Sequence, residues 1–399
     1  MKKSVKIHHY VAFWVVKFLS FIYSRLFMGF RCKDKYRIKK GETVILLSNH
    51  QTDLDPLCII PLFNKPVFPV ATDSIFSGKF TSALLTWLGV IPKKKGATDI
   101  KTTVKMLDTL KGGGSIFLFP EGNRTYAEFQ YYIASTLAKF IKRTGATLIL
   151  FNLHGGTGVS PRFKHKNRKG RFYGKIKEII TAEEYENMDE GTLFEKIKNG
   201  VRVFDSESGE KYKSDIRAEY LERIFFICPV CGKMQTVYSR GSDVFCTHCG
   251  KLAEFTEDLH LKPANEKFTF TRLIDWWLFQ KKTIREMPVN SGNTAFFDEN
   301  VELFLSNPYE KRVKICSGNL AVTDEYIKCG EKTFNVKNIS NASVISGRKL
   351  TFTLSGNDYL IVGNERFNPL KYAFFFNKID TEMKKNCSDK YFNLGDEIL

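Results

Sequence analysis

The chain has 399 residues, with 61 Lys and Arg against 43 Asp and Glu, and a formal net charge of +18. That length excludes a single compact domain, and a hydrophobic fraction of 43% supplies side chains for two or three separate cores. The charge is uneven: residues 1–50 hold eleven basic residues and two acids, and Arg162 to Lys177 hold eight basic residues and no acid, a pattern that points to a membrane surface or nucleic acid.

Residues 10–30, YVAFWVVKFLSFIYSRLFMGF, follow a basic start at Lys2, Lys3 and Lys6. Lys17, Ser20 and Ser24 fall at helical spacing and form one narrow polar stripe, which predicts a helix lying in the membrane interface with its apolar face down. A spanning helix would hold Lys17 in hydrocarbon at a cost of about 3 kcal/mol, and the same lysine interrupts any signal-peptide core.

From residue 43 short apolar runs alternate with helical periodicity. Strands are expected at 43–48, 66–71, 115–119 and 147–153, and helices at 54–62, 80–88, 100–111 and 126–143, with Asp99 as an N-cap. Alternation of this kind predicts an α/β sandwich with a mostly parallel sheet. The first strand runs into Asn49-His50-Gln51-Thr52-Asp53-Leu54-Asp55, so His50 stands where a strand ends and a loop begins, with a carboxylate five positions on. An imidazole oriented by a carboxylate can take a proton from a hydroxyl near neutral pH. The strand at 115–119 delivers Pro120-Glu121-Gly122-Asn123-Arg124 to the same kind of edge.

NHQTDLD and FPEGNRT together resemble the first and third motifs of the glycerophospholipid acyltransferase family. The resemblance implies that His50 is a general base oriented by Asp55. It implies too that Glu121 and Arg124 bind the phosphate of the acceptor, with Gly122 leaving room for its approach. The family's second motif falls on Gly89 to Lys95, with Lys95 standing for the family's arginine. Lysine keeps the charge and loses the bidentate fork. The fourth motif falls on Leu148 to Leu153, with Asn152 where a proline is expected. The likeness covers roughly residues 40–180.

Beyond it, Gly155-Gly156-Thr157-Gly158 is dense enough in glycine either to bring backbone amides to a phosphate or to make a flexible turn. A strand is expected at 171–180, a helix at 192–204 and another helical stretch from Asp215 to Phe226. Cys228-Pro-Val-Cys231 and Cys246-Thr-His-Cys249 are two Cys-x-x-Cys pairs, each followed by Gly-Lys, the spacing of a four-thiolate structural zinc ribbon. The other five cysteines show no paired spacing and read as free thiols in a reducing cytoplasm. A helix around Trp276 and Trp277 precedes a run of short antiparallel strands over about 295–366. A final helical pattern at Pro369 to Lys384 gives an element order that resembles the pleckstrin-homology or GRAM architecture.

These readings divide the chain into a membrane-interface helix (1–35), an acyltransferase domain (36–215), a zinc ribbon (216–255) and a β-rich domain (256–399). The expected activity moves a fatty acyl chain from a coenzyme A or acyl-carrier-protein thioester to a lysophospholipid, lysophosphatidate above all, without a catalytic cofactor. Glycerol 3-phosphate or another lysolipid is the alternative acceptor. The expected location is the cytoplasmic face of the cell membrane, peripheral or monotopic. A zinc-ribbon scaffold that binds nucleic acid is the competing class, but neither basic block lies on the ribbon.

Overall fold

A computed structural model describes residues 5–76, 78–93, 100–287, 295–308, 310–345 and 347–383. The chain forms two compact units, one built on residues up to Pro161 together with Lys169–Tyr212, the other on Arg162–Arg168 and the chain from Lys213 onward.

The first unit opens with helix α1 (Ile7–Leu26) and strand β1 (Phe30–Cys32). It continues through β2 (Val44–Ser48), α2 (Asp55–Ile59), β3 (Val67–Thr72), α3 (Lys79–Trp87), β4 (Ile91–Lys93), α4 (Ile100–Lys111) and β5 (Ser115–Leu118). It closes with α5 (Thr136–Lys142), β6 (Thr147–His154), the single turn α6 (Gly156–Val159), β7 (Phe172–Ile180), α7 (Ala182–Glu186) and α8 (Glu190–Gly200). The seven strands make one sheet in the order β1-β7-β6-β2-β5-β3-β4. Neighbours are parallel except at β6 and β7.

Every residue of β2 is buried, as a strand covered on both faces requires, which is why its sequence is a near-continuous apolar run. Ile45, Leu47, Ile116, Leu118, Leu148 and Leu150 pack with Ala138, Ile141, Tyr185, Leu193 and Ile197 into one core. The parallel register pairs Leu47 with Leu118. His50 and Glu121 each follow three residues later, so both are delivered at the same end of the sheet.

One expectation fails in this unit. The helix expected at 126–143 is reduced to α5, because the preceding backbone is committed elsewhere. Thr125 N–H donates to the His50 carbonyl, Tyr131 N–H to Glu121, and Glu128 adopts φ +61°. Tyr126, Ala127, Phe129, Gln130, Tyr131 and Ile133 are all buried, more than one face of a helix could cover. The strands β1 and β4 and helix α7 are short elements that periodicity did not reveal.

The polar stripe of α1 turns inward. Ser20 and Ser24 are buried and Lys17 Nζ donates to the Phe63 carbonyl at 2.5 Å. The large apolar side chains face out, with Val11, Trp14, Phe18 and Leu26 between 54% and 73% exposed. No helix among the described residues is long and apolar enough to cross a membrane.

In the second unit, β8 (Val237–Arg240), β9 (Asp243–Cys246), β10 (Gly250–Phe255) and β11 (Leu261–Pro263) form an antiparallel sheet in the order β11-β10-β9-β8. The helix expected over 215–226 is instead a set of turns ending in a 3-10 turn at Leu221–Arg223, entered through Tyr220 at φ +70°. Helix α9 (Leu273–Glu286) buries Trp276 and Trp277, and Trp276 Nε1 donates to the Ile227 carbonyl. A second, seven-stranded sheet follows: β12 (Phe296–Leu305), β13 (Val313–Val322), β14 (Tyr326–Cys329), β15 (Lys332–Asn335), β16 (Ile339–Ile345), β17 (Lys349–Leu354) and β18 (Asn357–Val362). Its pairings are all antiparallel, and helix α10 (Pro369–Met383) closes it, as the alternation and the final helical pattern predict.

Candidate functional site

The loop after β2 folds around one carboxylate. Asp55 is fully buried and accepts from the amides of Gln51 (2.6 Å) and Thr52 (2.9 Å), from the Thr52 hydroxyl (2.5 Å) and from His50 Nδ1 (2.8 Å). With its proton on Nδ1, the imidazole leaves Nε2 as a free acceptor. Phe119 stacks flat on the ring, centroids 4.1 Å apart and 13° between planes. The ring is therefore fixed from its face and from one edge, and His50 retains 20% exposure on the remaining side.

His50 also lines a small open cleft, whose space with open solvent included is about 280 Å³. Its walls include Asn49, His50, Glu121, Thr125, Glu128 and Arg202. Burial pushes the Glu121 carboxyl up to about 8, opposed only by the hydrogen bond from the Tyr131 amide. It is thus largely neutral at pH 7. Glu128 accepts from both the amide and the hydroxyl of Ser206.

The remaining expected site residues have other surroundings. Arg124 is 8% exposed and outside the cavity lining. Its Nε donates to the Gln51 carbonyl at 3.2 Å, one terminal nitrogen to the Ser160 carbonyl at 3.4 Å, and the other pairs with Asp53 at 2.5 Å. This guanidinium ties the first motif's loop to the third. Gly122 is exposed in a turn at φ +64°, also outside the lining. Lys95 and Asp99 lie outside the described residues.

The glycine-rich loop does gather amides around an anion, and the anion belongs to the chain. Asp205 accepts from Gly155 N–H at 2.7 Å, Thr157 N–H at 3.2 Å and Gln51 Nε2 at 3.0 Å. Gly156 N–H donates to Gln51 Oε1. Burial pushes the Asp205 carboxyl up, against these donors. Spacing gave no sign of Gln51, Glu128, Arg202 or Asp205, because their partners lie dozens to more than a hundred residues away.

In the second unit the sulfurs of Cys228, Cys231, Cys246 and Cys249 lie within 4.8 Å of one another. Cys228 and Cys249 are 3.9 Å apart, Cys231 and Cys246 3.8 Å. A tetrahedral ion with metal–sulfur bonds near 2.3 Å sets its sulfurs about 3.8 Å apart, so the cluster fits a metal ion. The knuckles are repeats of each other. Amides of Val230 and Cys231 point at the Cys228 sulfur, those of His248 and Cys249 at Cys246, and each turn ends on a glycine with φ near +70°.

Comparison with known proteins gives the following likenesses. The Acyltransferase family model matches residues 29–156. A 1-acyl-sn-glycerol-3-phosphate acyltransferase of Borreliella burgdorferi is 28% identical over 119 residues, 29% of this chain and 48% of that protein, so the match spans about half the relative's length. Among solved structures, the 1-acyl-sn-glycerophosphate (LPA) acyltransferase PlsC of Thermotoga maritima aligns at TM-score 0.40 and 17% identity, over 50% of this chain and 83% of its own. Residues 29–156 thus match the Acyltransferase family model, and that stretch is similar to a 1-acyl-sn-glycerol-3-phosphate acyltransferase.

Proposed function

We propose that the first unit transfers a fatty acyl group from a thioester to the free hydroxyl of a phosphate-bearing lysolipid, with lysophosphatidate as the leading acceptor. The observation that carries this reading is the His50–Asp55 pair, locked at the end of a buried parallel strand, with His50 lining a small open cleft. His50 Nε2 takes the hydroxyl proton as the oxygen attacks the thioester carbonyl. The tetrahedral intermediate collapses, the thiolate leaves with the proton returned by the imidazolium, and one ester and one thiol result. Asp55 orients the ring and stabilises the imidazolium. Glu121, neutral at pH 7, can donate a hydrogen bond toward the acceptor without adding charge. The thioester donor is already activated, so the step needs no cofactor.

The outward apolar face of α1 fits a substrate that stays in a bilayer, and the basic N-terminal stretch fits an anionic surface. The four cysteines are read as a structural zinc site that steadies the β8–β11 ribbon, because four thiolates leave no position for substrate.

Four measurements test these assignments. In an acyl-transfer assay, His50→Ala abolishes turnover, a loss of at least about 100-fold, while the circular-dichroism spectrum is retained; an active variant would remove the base. For Glu121 the sign is set by the raised carboxyl. Between about pH 5 and 8 the unfolded chain releases this proton and the folded chain keeps it, so stability falls as pH rises through that window. Glu121→Gln removes this fall, and it also flattens the decline of kcat/KM above about pH 8, where an ionised Glu121 would repel a phosphate; a pH profile unchanged from wild type contradicts the assignment. Trp14→Glu combined with Phe18→Glu leaves the protein in the supernatant when anionic vesicles are pelleted, with turnover on detergent-dispersed acceptor retained; co-sedimentation of that variant counts against α1. Metal analysis finds one zinc per chain, and Cys246→Ser loses it and lowers the melting temperature; zinc-free protein with an unchanged melting temperature refutes the site.

A further inference from the structure

His50 is flanked by two buried amide side chains, and both fasten its loop to the end of the neighbouring strand. Asn49 Nδ2 donates to the Leu153 carbonyl at 2.8 Å, and Asn49 Oδ1 accepts from the Leu153 amide at 2.8 Å. Gln51 reaches just beyond: its Oε1 accepts from Gly156 N–H at 2.8 Å and its Nε2 donates to Asp205 at 3.0 Å. The fit is close, since a Cβ on Gly156 would come within 2.6 Å of Gln51 Oε1 and 3.0 Å of Thr52 Cγ2. The loop that carries the imidazole is therefore seated on the turn after β6, with Gln51 as the deepest contact.

Asp205 decides where Gln51 rests. Its side chain is 2% exposed, and every hydrogen bond it makes is to a donor: the amides of Gly155 and Thr157, the Thr157 hydroxyl and Gln51 Nε2. A carboxylate persists in such a place only where donors replace water. The arrangement depends on chemistry more than on shape, because asparagine has the same outline but turns an NH2 toward one of those donors. Gln51 in turn gives its main-chain amide to Asp55 at 2.6 Å, and Asp55 holds His50 Nδ1 at 2.8 Å. Two buried carboxylates far apart in the sequence thus meet on one residue, Asp205 at its side chain and Asp55 at its backbone.

We propose that Asp205 is a positioning residue for His50, acting through the side chain of Gln51. It lies beyond the stretch that matches the family model and does not line the cleft, so its effect is on where the loop stands and not on the substrate. The proposal rests on the acyl-transfer reading for the reaction it serves, and on geometry alone for the coupling.

The test uses the full chain. Asp205→Asn lowers kcat for acyl transfer about 30-fold and leaves KM for the lysolipid within about twofold, because a displaced base slows the chemical step without touching acceptor binding. Asp189→Ala controls for stability alone: it removes the carboxylate that accepts from Thr192 N–H at 2.9 Å at the start of α8, so it lowers the melting temperature and keeps the wild-type kcat. Gln51→Glu sets a second carboxyl against Asp205. At low pH the pair shares one proton, which restores the hydrogen bond that Nε2 makes, and at high pH the proton leaves. This variant therefore shows an alkaline loss of kcat that wild type lacks. His50, Asp55, His154 and Tyr212, the other titratable groups around the pair, are common to both proteins. Where Asp205→Asn does not fold, Gln51→Glu carries the kinetic test. A second readout needs no turnover. The His50 Nδ1 proton gives a far-downfield NMR resonance, assigned by its loss in His50→Ala; it is sharp in wild type and in Asp189→Ala and broadened by exchange in Asp205→Asn. If wild type acylates no acceptor yet this pattern holds, the reaction is wrong and the positioning role stands. If Asp205→Asn melts lower but keeps the wild-type kcat and a sharp resonance, or if Gln51→Glu follows the wild-type pH profile, the proposal is overturned.

Discussion

The site depends on one buried carboxylate. Asp55 accepts four hydrogen bonds, three of them from Gln51 and Thr52, so the loop that follows β2 cannot change shape without stranding a charge in a dry interior. The fourth goes to His50, which inherits the rigidity of that loop. The remaining constraints extend the same frame: Phe119 covers the ring, the Thr125 amide closes onto the His50 carbonyl, and Arg124 clamps Gln51 and Asp53 from below. Two motifs some seventy residues apart in sequence become one object because β2 and β5 are adjacent and parallel.

Much of this was legible in the sequence, because the informative patterns are local. The fully apolar run at 43–48 announces a central strand, the run at 115–119 its neighbour, and the motifs sit at their ends. The paired Cys-x-x-Cys knuckles announce their own cluster, since ligand spacing is set by a turn of a few residues. The alternation from residue 295 onward likewise became an antiparallel sheet.

What was not legible involves partners distant in the chain. Nothing about Arg124 itself says that its donors reach the carbonyls of Gln51 and Ser160 and the carboxylate of Asp53. That depends on where Ser160 and Gln51 come to rest. The helix expected at 126–143 shows a different conflict: eighteen residues of acceptable helical composition begin with a stretch whose tertiary hydrogen bonds, to the His50 carbonyl and to Glu121, decide against a helix. Asn152 is similar. As a departure from the family pattern it looks like a defect in the fourth motif, whereas its amide holds the carboxyl end of α8.

Asp205 shows where this protein's working unit ends. Its carboxylate fills the ring of amides at Gly155 and Thr157 and grips Gln51 beside the imidazole, although it lies some fifty residues past the end of the recognisable motifs. A chain trimmed at the family boundary would leave that ring without its counter-ion and the catalytic loop without a brace. The segment from α8 to Asp205 is thus as much a part of the first unit's architecture as the strands that carry its motifs. Because no signature fixes its sequence, it is the part through which relatives sharing the same motifs can come to differ.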